Sequence, residues 1–215
     1  MLRIAPAALG LALLGACATD SPAPIVQGGA ATDVPPASQV ELAMGTVDAL
    51  VEAGNTQTAI YRLTDLLGRP ELSSEEAAAA LYRRGELRLS ASGYDTYGAI
   101  NDFDEITAKH TETSWVDEAM AALETARGKA TSLNFMAEQP GASRSDRFSA
   151  HFALGEHEDA IDIMLAGGVT PTNDQLVAMY QIGYLCEGDE YTGPAYAATE
   201  PDGTARTLRF CDFGK

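Results

Sequence analysis

Two short stretches share one spacing: GNTQTAI at residues 54–60 and GEHEDAI at residues 155–161 both follow the pattern Gly-x4-Ala-Ile. A third stretch, GAINDF at residues 98–103, carries the same Ala-Ile pair. Apolar residues around these pairs recur at helical spacing, so each alanine lies early in a helix that follows a break. Only a small side chain fits where the two helices of a hairpin cross closely. The pattern therefore predicts repeated helical hairpins.

Outward from these stretches, nearly all of residues 39–186 has the apolar spacing of amphipathic helices, interrupted only by short breaks. Short loops make sequential helices antiparallel neighbours. The last predicted helix runs from Asn173 to Leu185. In the remaining segment, 187–215, the turn EPDG at 200–203 lies between short runs rich in Thr, Tyr and Phe and predicts a β-hairpin. We expect an all-α domain, a helical-hairpin repeat solenoid, with a small C-terminal β-hairpin.

The predicted hairpins resemble the tetratricopeptide repeat, in which a small residue early in the second helix lets the helices approach. The residues that match its small, glycine and bulky positions are Ala59, Ala99, Ala160, Gly54, Gly85, Gly155 and Phe103. The matching alanines are 40 and 61 residues apart, whereas the repeat has about 34 residues. A non-repeat helical bundle would give many of the same apolar spacings.

The resemblance implies a concave groove that is lined by the first helix of each hairpin. By register, the residues expected to line this partner groove are Leu50, Arg83, Leu87, Phe148 and His151. A partner protein or peptide would lie along it.

The first sixteen residues are typical of a secretory signal, with Arg3 followed by an uncharged apolar run from Ile4 to Leu14. The sequence LGAC at residues 14–17 resembles the bacterial lipobox, which implies cleavage before Cys17 and acylation of its thiol. Residues 17–38 are rich in Pro, Ala, Gly and Thr and predict a flexible tether. By the same resemblance, Ala18 after the cysteine favours the outer membrane. The alternative is cleavage at Ala16-Cys17-Ala18, which would give a soluble periplasmic protein.

The remaining two cysteines, Cys186 and Cys211, bracket the predicted hairpin. In an oxidising compartment such a pair predicts a disulfide. Two buried free thiols are the alternative.

The chain carries 31 acidic against 14 basic residues, a net charge of −17. A chain this acidic repels phosphate backbones, which argues against nucleic-acid binding. It also argues against electrostatic docking on anionic lipid, so contact with a membrane is expected only through the lipid anchor. A protein partner is expected to be basic.

The chain contains no nucleotide-binding glycine loop, no Gly-x-Ser-x-Gly and no His-Glu-x-x-His, so we expect no enzyme activity, cofactor or metal. Of the histidines, His151 and His157 are separated by a turn glycine, and the acidic turn around His157 predicts a solvated corner. The three carboxylates Asp102, Asp104 and Glu105 are expected on a solvated helix face.

Two functional hypotheses follow from the sequence. The first is a non-catalytic adaptor of the cell envelope, as the resemblance to tetratricopeptide lipoproteins implies. The second is an envelope enzyme or glycan-binding protein, with sugars stacked on the aromatic residues of the C-terminal region. Those residues are Tyr180, Tyr184, Tyr191 and Tyr196. A purely architectural role is a further alternative.

Overall fold

Helices make up most of the described chain, which is residues 39–211 of a computed structural model. The helices of this region are α1 (Gln39–Glu52), α2 (Thr56–Leu67), α3 (Ser74–Leu89), α4 (Thr96–Lys109), α5 (Val116–Glu138), α6 (Arg144–Leu154), α7 (His157–Leu165) and α8 (Asn173–Gln181). The strands are β1 (Leu185–Glu187), β2 (Tyr196–Thr199) and β3 (Ala205–Phe210). The prediction of a helical chain with C-terminal strands is confirmed at this level. The expected signal sequence, Cys17 and the tether lie outside the described residues.

Local sequence sets where several helices begin. Ser73 accepts a hydrogen bond from the backbone N–H of Glu76, and the Glu76 carboxylate accepts one from the backbone N–H of Ser73. The Ser73 hydroxyl also donates to the Glu76 carboxylate (2.6 Å), and this bond and the one from the Ser73 N–H lower the pKa of Glu76. The same reciprocal capping box begins α6 at Ser143 and α8 at Thr172. Each box satisfies backbone donors that a helix leaves without a partner at its first turn.

Each helix from α1 to α6 packs on the next one along the chain, so α1 to α7 form one series. The alanines of the shared spacing, Ala59, Ala99 and Ala160, are fully buried, each in a different core cluster. Gly85 of α3 lies against the ring of Phe103 of α4, and a Cβ at Gly85 would be 2.6 Å from the Phe103 ring. Small residues therefore occupy sites where neighbouring elements approach closely.

Helices α1 and α2 form the first hairpin, α3 and α4 the second, and α6 and α7 the third. Helix α5 has 23 residues and packs between the second and third hairpins. Its buried face consists largely of alanines, which lets it lie close to α4 and α6. Lys129 of this helix donates from Nζ to the carbonyl of Leu89, at the end of α3, at 2.8 Å. Burial lowers the pKa of Lys129.

The C-terminal region differs from the prediction at its first strand. Helix α8 ends at Gln181, and Gly183 follows in the left-handed conformation (φ 90°) that closes many helices. Leu185 pairs with Phe210 across the sheet, so the prediction of helix as far as Leu185 is wrong. The boundary that we expected between residues 186 and 187 falls inside β1.

The sheet has three antiparallel strands in the order β1-β3-β2. The predicted hairpin is formed by β2 and β3 around the EPDG turn, and β1 adds a strand on the other edge of β3. Cys186 and Cys211 are joined by a disulfide, with their Cα atoms 5.1 Å apart. One face of the sheet packs on α8, where Leu185 and Leu208 share a core with Met179. The helix supplies the apolar cover that so small a sheet needs.

Candidate functional site

Residues 90–96 connect α3 to α4 and include Thr96, the first residue of α4. They lie where the turns of the three hairpins meet, and we call them the turn segment. The turn of the first hairpin binds one side of it. Thr56 and Ser92 share a hydrogen bond between their hydroxyls (2.7 Å). The Gln57 amide nitrogen donates to the carbonyls of Ser92 (2.9 Å) and Gly93 (2.8 Å). Because Gln57 is 9% exposed, these bonds satisfy a nearly buried amide.

The turn of the third hairpin binds the other side of this segment. The hydroxyl of Thr96 donates to the carbonyl of Ala153 (2.7 Å), and His157 donates from Nε2 to the carbonyl of Tyr94 (2.8 Å). The His157 ring also packs against Phe152, with ring centroids 5.0 Å apart. His157 is half-buried, so the prediction of a solvated corner is wrong. Its neighbours Glu158 and Asp159 are exposed, while the imidazole lies between two turns.

The turn segment borders a cleft of about 670 Å³. The other walls are the turn between α1 and α2, the face of α8 and the tip of the β2–β3 hairpin. The lining residues are Val51, Gly54, Thr56, Gln57, Leu87, Ser90, Ser92, Asn173, Asp174, Val177, Ala178, Gln181, Thr199, Glu200 and Pro201. The apolar members give the cleft a hydrophobic lining, and hydroxyl and amide groups stand among them.

The C-terminal region closes the cleft against the first hairpin. A Cβ at Gly54 would be 2.9 Å from Pro201 in the hairpin turn, and Gly54 itself has φ 77°. Any residue other than glycine would be strained at this position, because the backbone is left-handed and Pro201 leaves no room for a Cβ. The side-chain amide of Gln181 on α8 donates to the side-chain oxygen of Asn55, the residue after Gly54 (3.4 Å). Residues more than one hundred positions apart thus form one wall.

The two carboxylates of the cleft differ in their partners. Glu200 accepts from the guanidinium of Arg206, which also pairs with Glu187 at 2.6 Å. Asp174 is exposed and pairs with no basic side chain among residues 39–211, and no Lys or Arg lines the cleft. Burial raises the pKa of the Tyr94 hydroxyl, and the charge of Asp174 adds to this rise. Of the two carboxylates that line the cleft, Asp174 is therefore the one without a basic partner among the described residues.

The structure brings few of the predicted groove residues together. Leu87 lines the cleft. Leu50 is half-buried and packs against the core cluster that contains Ala59. Arg83 pairs with Asp48 at 2.8 Å. Phe148 is 1% exposed and stacks on Phe152 in the core beneath α8 and the sheet, so the prediction that Phe148 lines a groove is wrong. Helix α8 and the sheet cover the face of α6 that carries Phe148, a face that the helical register predicts to be exposed in the groove.

His151, the fifth predicted groove residue, does not line the cleft. Its Nδ1 lies 2.6 Å from the Glu156 carboxylate, across the turn that Gly155 (φ 93°) makes between α6 and α7.

The tyrosines expected to bind a glycan do not line the cleft. Tyr180, Tyr184 and Tyr196 pack at the edge of the core shared by α8 and the sheet. Tyr180 also carries the guanidinium of Arg206 over its ring, at 4.8 Å from the centroid. The predicted aromatic sugar platform is not formed by these three residues.

Asp102 is a buried charge rather than a solvated one. It is 2% exposed and accepts hydrogen bonds from Arg84 (2.6 Å from Nη2) and Arg88 (2.9 Å from Nη1). Burial raises the pKa of Asp102, and the hydrogen bonds and charges of the two guanidinium groups oppose that rise. The expectation of a solvated face is therefore wrong for Asp102. It holds for Asp104 and Glu105, which lie in partly exposed ion pairs.

No family model, no curated protein and no solved structure matches this chain. None of the helices within residues 39–211 has both the length and the apolar character needed to cross a membrane.

We expect Asp102→Asn to lower the free energy of unfolding by about 3–5 kcal/mol, because it leaves two guanidinium groups without their shared carboxylate. Asp104→Asn on the same helix is the matched control, and its exposed pair with Arg127 should contribute less than about 1 kcal/mol. Urea denaturation followed by circular dichroism measures both. Equal losses in the two variants would contradict the assignment of Asp102 as the buried anchor between α3 and α4.

Proposed function

We propose that this chain is a lipid-anchored protein of the bacterial envelope that acts as a non-catalytic adaptor. Its cleft holds an extended, basic segment of a partner protein. The observation that carries the proposal is the acidic cleft itself, in which Asp174 has no cation and the remaining walls offer apolar and hydrogen-bonding surface. Carboxylates in a cleft focus the field and attract a segment of opposite charge.

The stacking of the hairpins supports a repeat architecture similar to the tetratricopeptide repeat. The small residues Ala59, Ala99 and Ala160 are buried in successive core clusters, and the turns of the hairpins bind one another through the turn segment. A stack of this kind leaves a continuous inner surface for a partner. In this chain α8 and the sheet occupy one end of that surface, which leaves the cleft as the open part.

The dimensions of the cleft favour a segment rather than a globular face. A volume of about 670 Å³ is within the usual range of ligand pockets, roughly 300–1,000 Å³. Val51, Leu87 and Val177 provide an apolar floor for one or two side chains of the segment. Asp174 lies beside that floor, where a Lys or Arg of the same segment could reach it, while the amide of the neighbouring Asn173 is hydrogen-bonded to the backbone of Thr199.

The sequence at the N-terminus supports an envelope location. The stretch LGAC at residues 14–17 is similar to the lipobox, and several acyl chains on Cys17 would hold the protein at a membrane. The disulfide between Cys186 and Cys211 agrees with this, because such bonds persist in oxidising compartments outside the cytoplasm. Among envelope locations we favour the periplasmic face of the outer membrane.

The anchor is tested by expressing the full chain in bacteria with radiolabelled palmitate. We expect label on the wild type and none on Cys17→Ser, because the thiol of Cys17 is the acylated group. The double variant Cys186→Ser/Cys211→Ser is the control and should keep the label. Unlabelled wild type, or label retained by Cys17→Ser, would contradict the anchor.

The cleft is tested by selecting ligands for the full chain from a random peptide library. We expect selected peptides to combine Lys or Arg with apolar residues. Asp174→Asn should weaken their binding about tenfold, the effect of losing one charge-assisted hydrogen bond. Asp117→Asn is a matched control, since it also removes one charge from the first turn of a helix. Acidic selected peptides, or equal affinities in the two variants, would contradict the proposal.

A further inference from the structure

A second group of polar side chains lies at the turn between α6 and α7, apart from the cleft. Its members are His151, in the last turn of α6, and Glu156 and Asp159, at the start of α7. Gly155, in the left-handed conformation, reverses the chain between them. One nitrogen of His151 and one oxygen from each carboxylate all lie within 4.8 Å of one another. The turn thus converges three donor atoms on one small volume.

The three donors match the preferences of a divalent transition-metal ion. Imidazole nitrogen and carboxylate oxygen bind Zn²⁺ at about 2.0–2.2 Å, so donors around one tetrahedral ion are about 3.4 Å apart. The His151 Nδ1 and the Glu156 carboxylate are now 2.6 Å apart, so they need to separate by less than about 1 Å. Ca²⁺ and Mg²⁺ are a poorer match, because they prefer oxygen donors alone.

The charge and the exposure of these three side chains favour the binding of a metal ion. Two carboxylates face one imidazole, so the cluster keeps a net negative charge even when His151 is protonated. The His151 and Glu156 side chains are 26% and 31% exposed, which leaves them open to an ion from solution. Both carboxylates lie at the N-terminus of α7, with Glu156 at the N-cap and Asp159 in the first turn.

We propose that His151, Glu156 and Asp159 form a binding site for one divalent transition-metal ion of the Zn²⁺ class, with water at its remaining positions. The ion would link the end of α6 to the start of α7. That turn also carries the His157 contact to Tyr94, so the ion would stiffen the third hairpin where it meets the turn segment. This proposal does not depend on the adaptor function.

The test is isothermal titration of the untagged full chain with ZnCl₂, using Cys17→Ser so that no free thiol at this position binds the ion. We expect one equivalent of Zn²⁺ to bind with a Kd below about 100 μM. His151→Gln and Asp159→Asn should each weaken binding by at least about tenfold. His110→Gln removes a histidine from a different part of the chain and should leave binding unchanged.

Thermal melting without metal checks that each variant is folded, since none of the three side chains belongs to a core cluster. The absence of saturable binding to the wild type would overturn the proposal, and so would an affinity unchanged by His151→Gln. Asp174→Asn should leave the Zn²⁺ titration unchanged, so the metal site and the peptide cleft can fail separately.

Discussion

The turn segment is the part of the chain on which the rest of the structure depends, because it is hydrogen-bonded on both sides. Gln57 and Thr56 fix it to the first hairpin, and Thr96 and His157 fix it to the third. All but one of these bonds join a side-chain donor to a backbone carbonyl, so the side chains of Gln57, Thr96 and His157 set the spacing of the hairpins. The spacing in turn sets the width of the cleft.

The C-terminal region turns an open stack into a bounded site. Helix α8 and the sheet cover Phe148 on the third hairpin and reach the first hairpin through Pro201 and Gln181. The disulfide between Cys186 and Cys211 ties the outer strand of that sheet to the end of β3. The shape of the cleft therefore depends on the integrity of the sheet, because the hairpin tip is one wall of the cleft.

The sequence predicts the helices well because their signals are local. Capping residues such as Ser73 and the spacing of buried alanines such as Ala59 need no knowledge of distant neighbours. Asp102 and Phe148 were misassigned for the opposite reason: guanidinium groups from α3 and a cover from α8 reach them across the fold. The cleft likewise joins residues from both ends of the chain, so only Leu87 among the predicted groove residues lies on it.

Hydrogen–deuterium exchange of Gln57→Ala tests the central role of the turn segment most directly. The substitution removes the two bonds to Ser92 and Gly93, while Thr107→Ala, whose hydroxyl bonds only within α4, serves as the control. The account predicts exchange faster by about tenfold or more in residues 92–98 and also at the turn between α6 and α7. Faster exchange confined to α2, with the third hairpin unchanged, would contradict it.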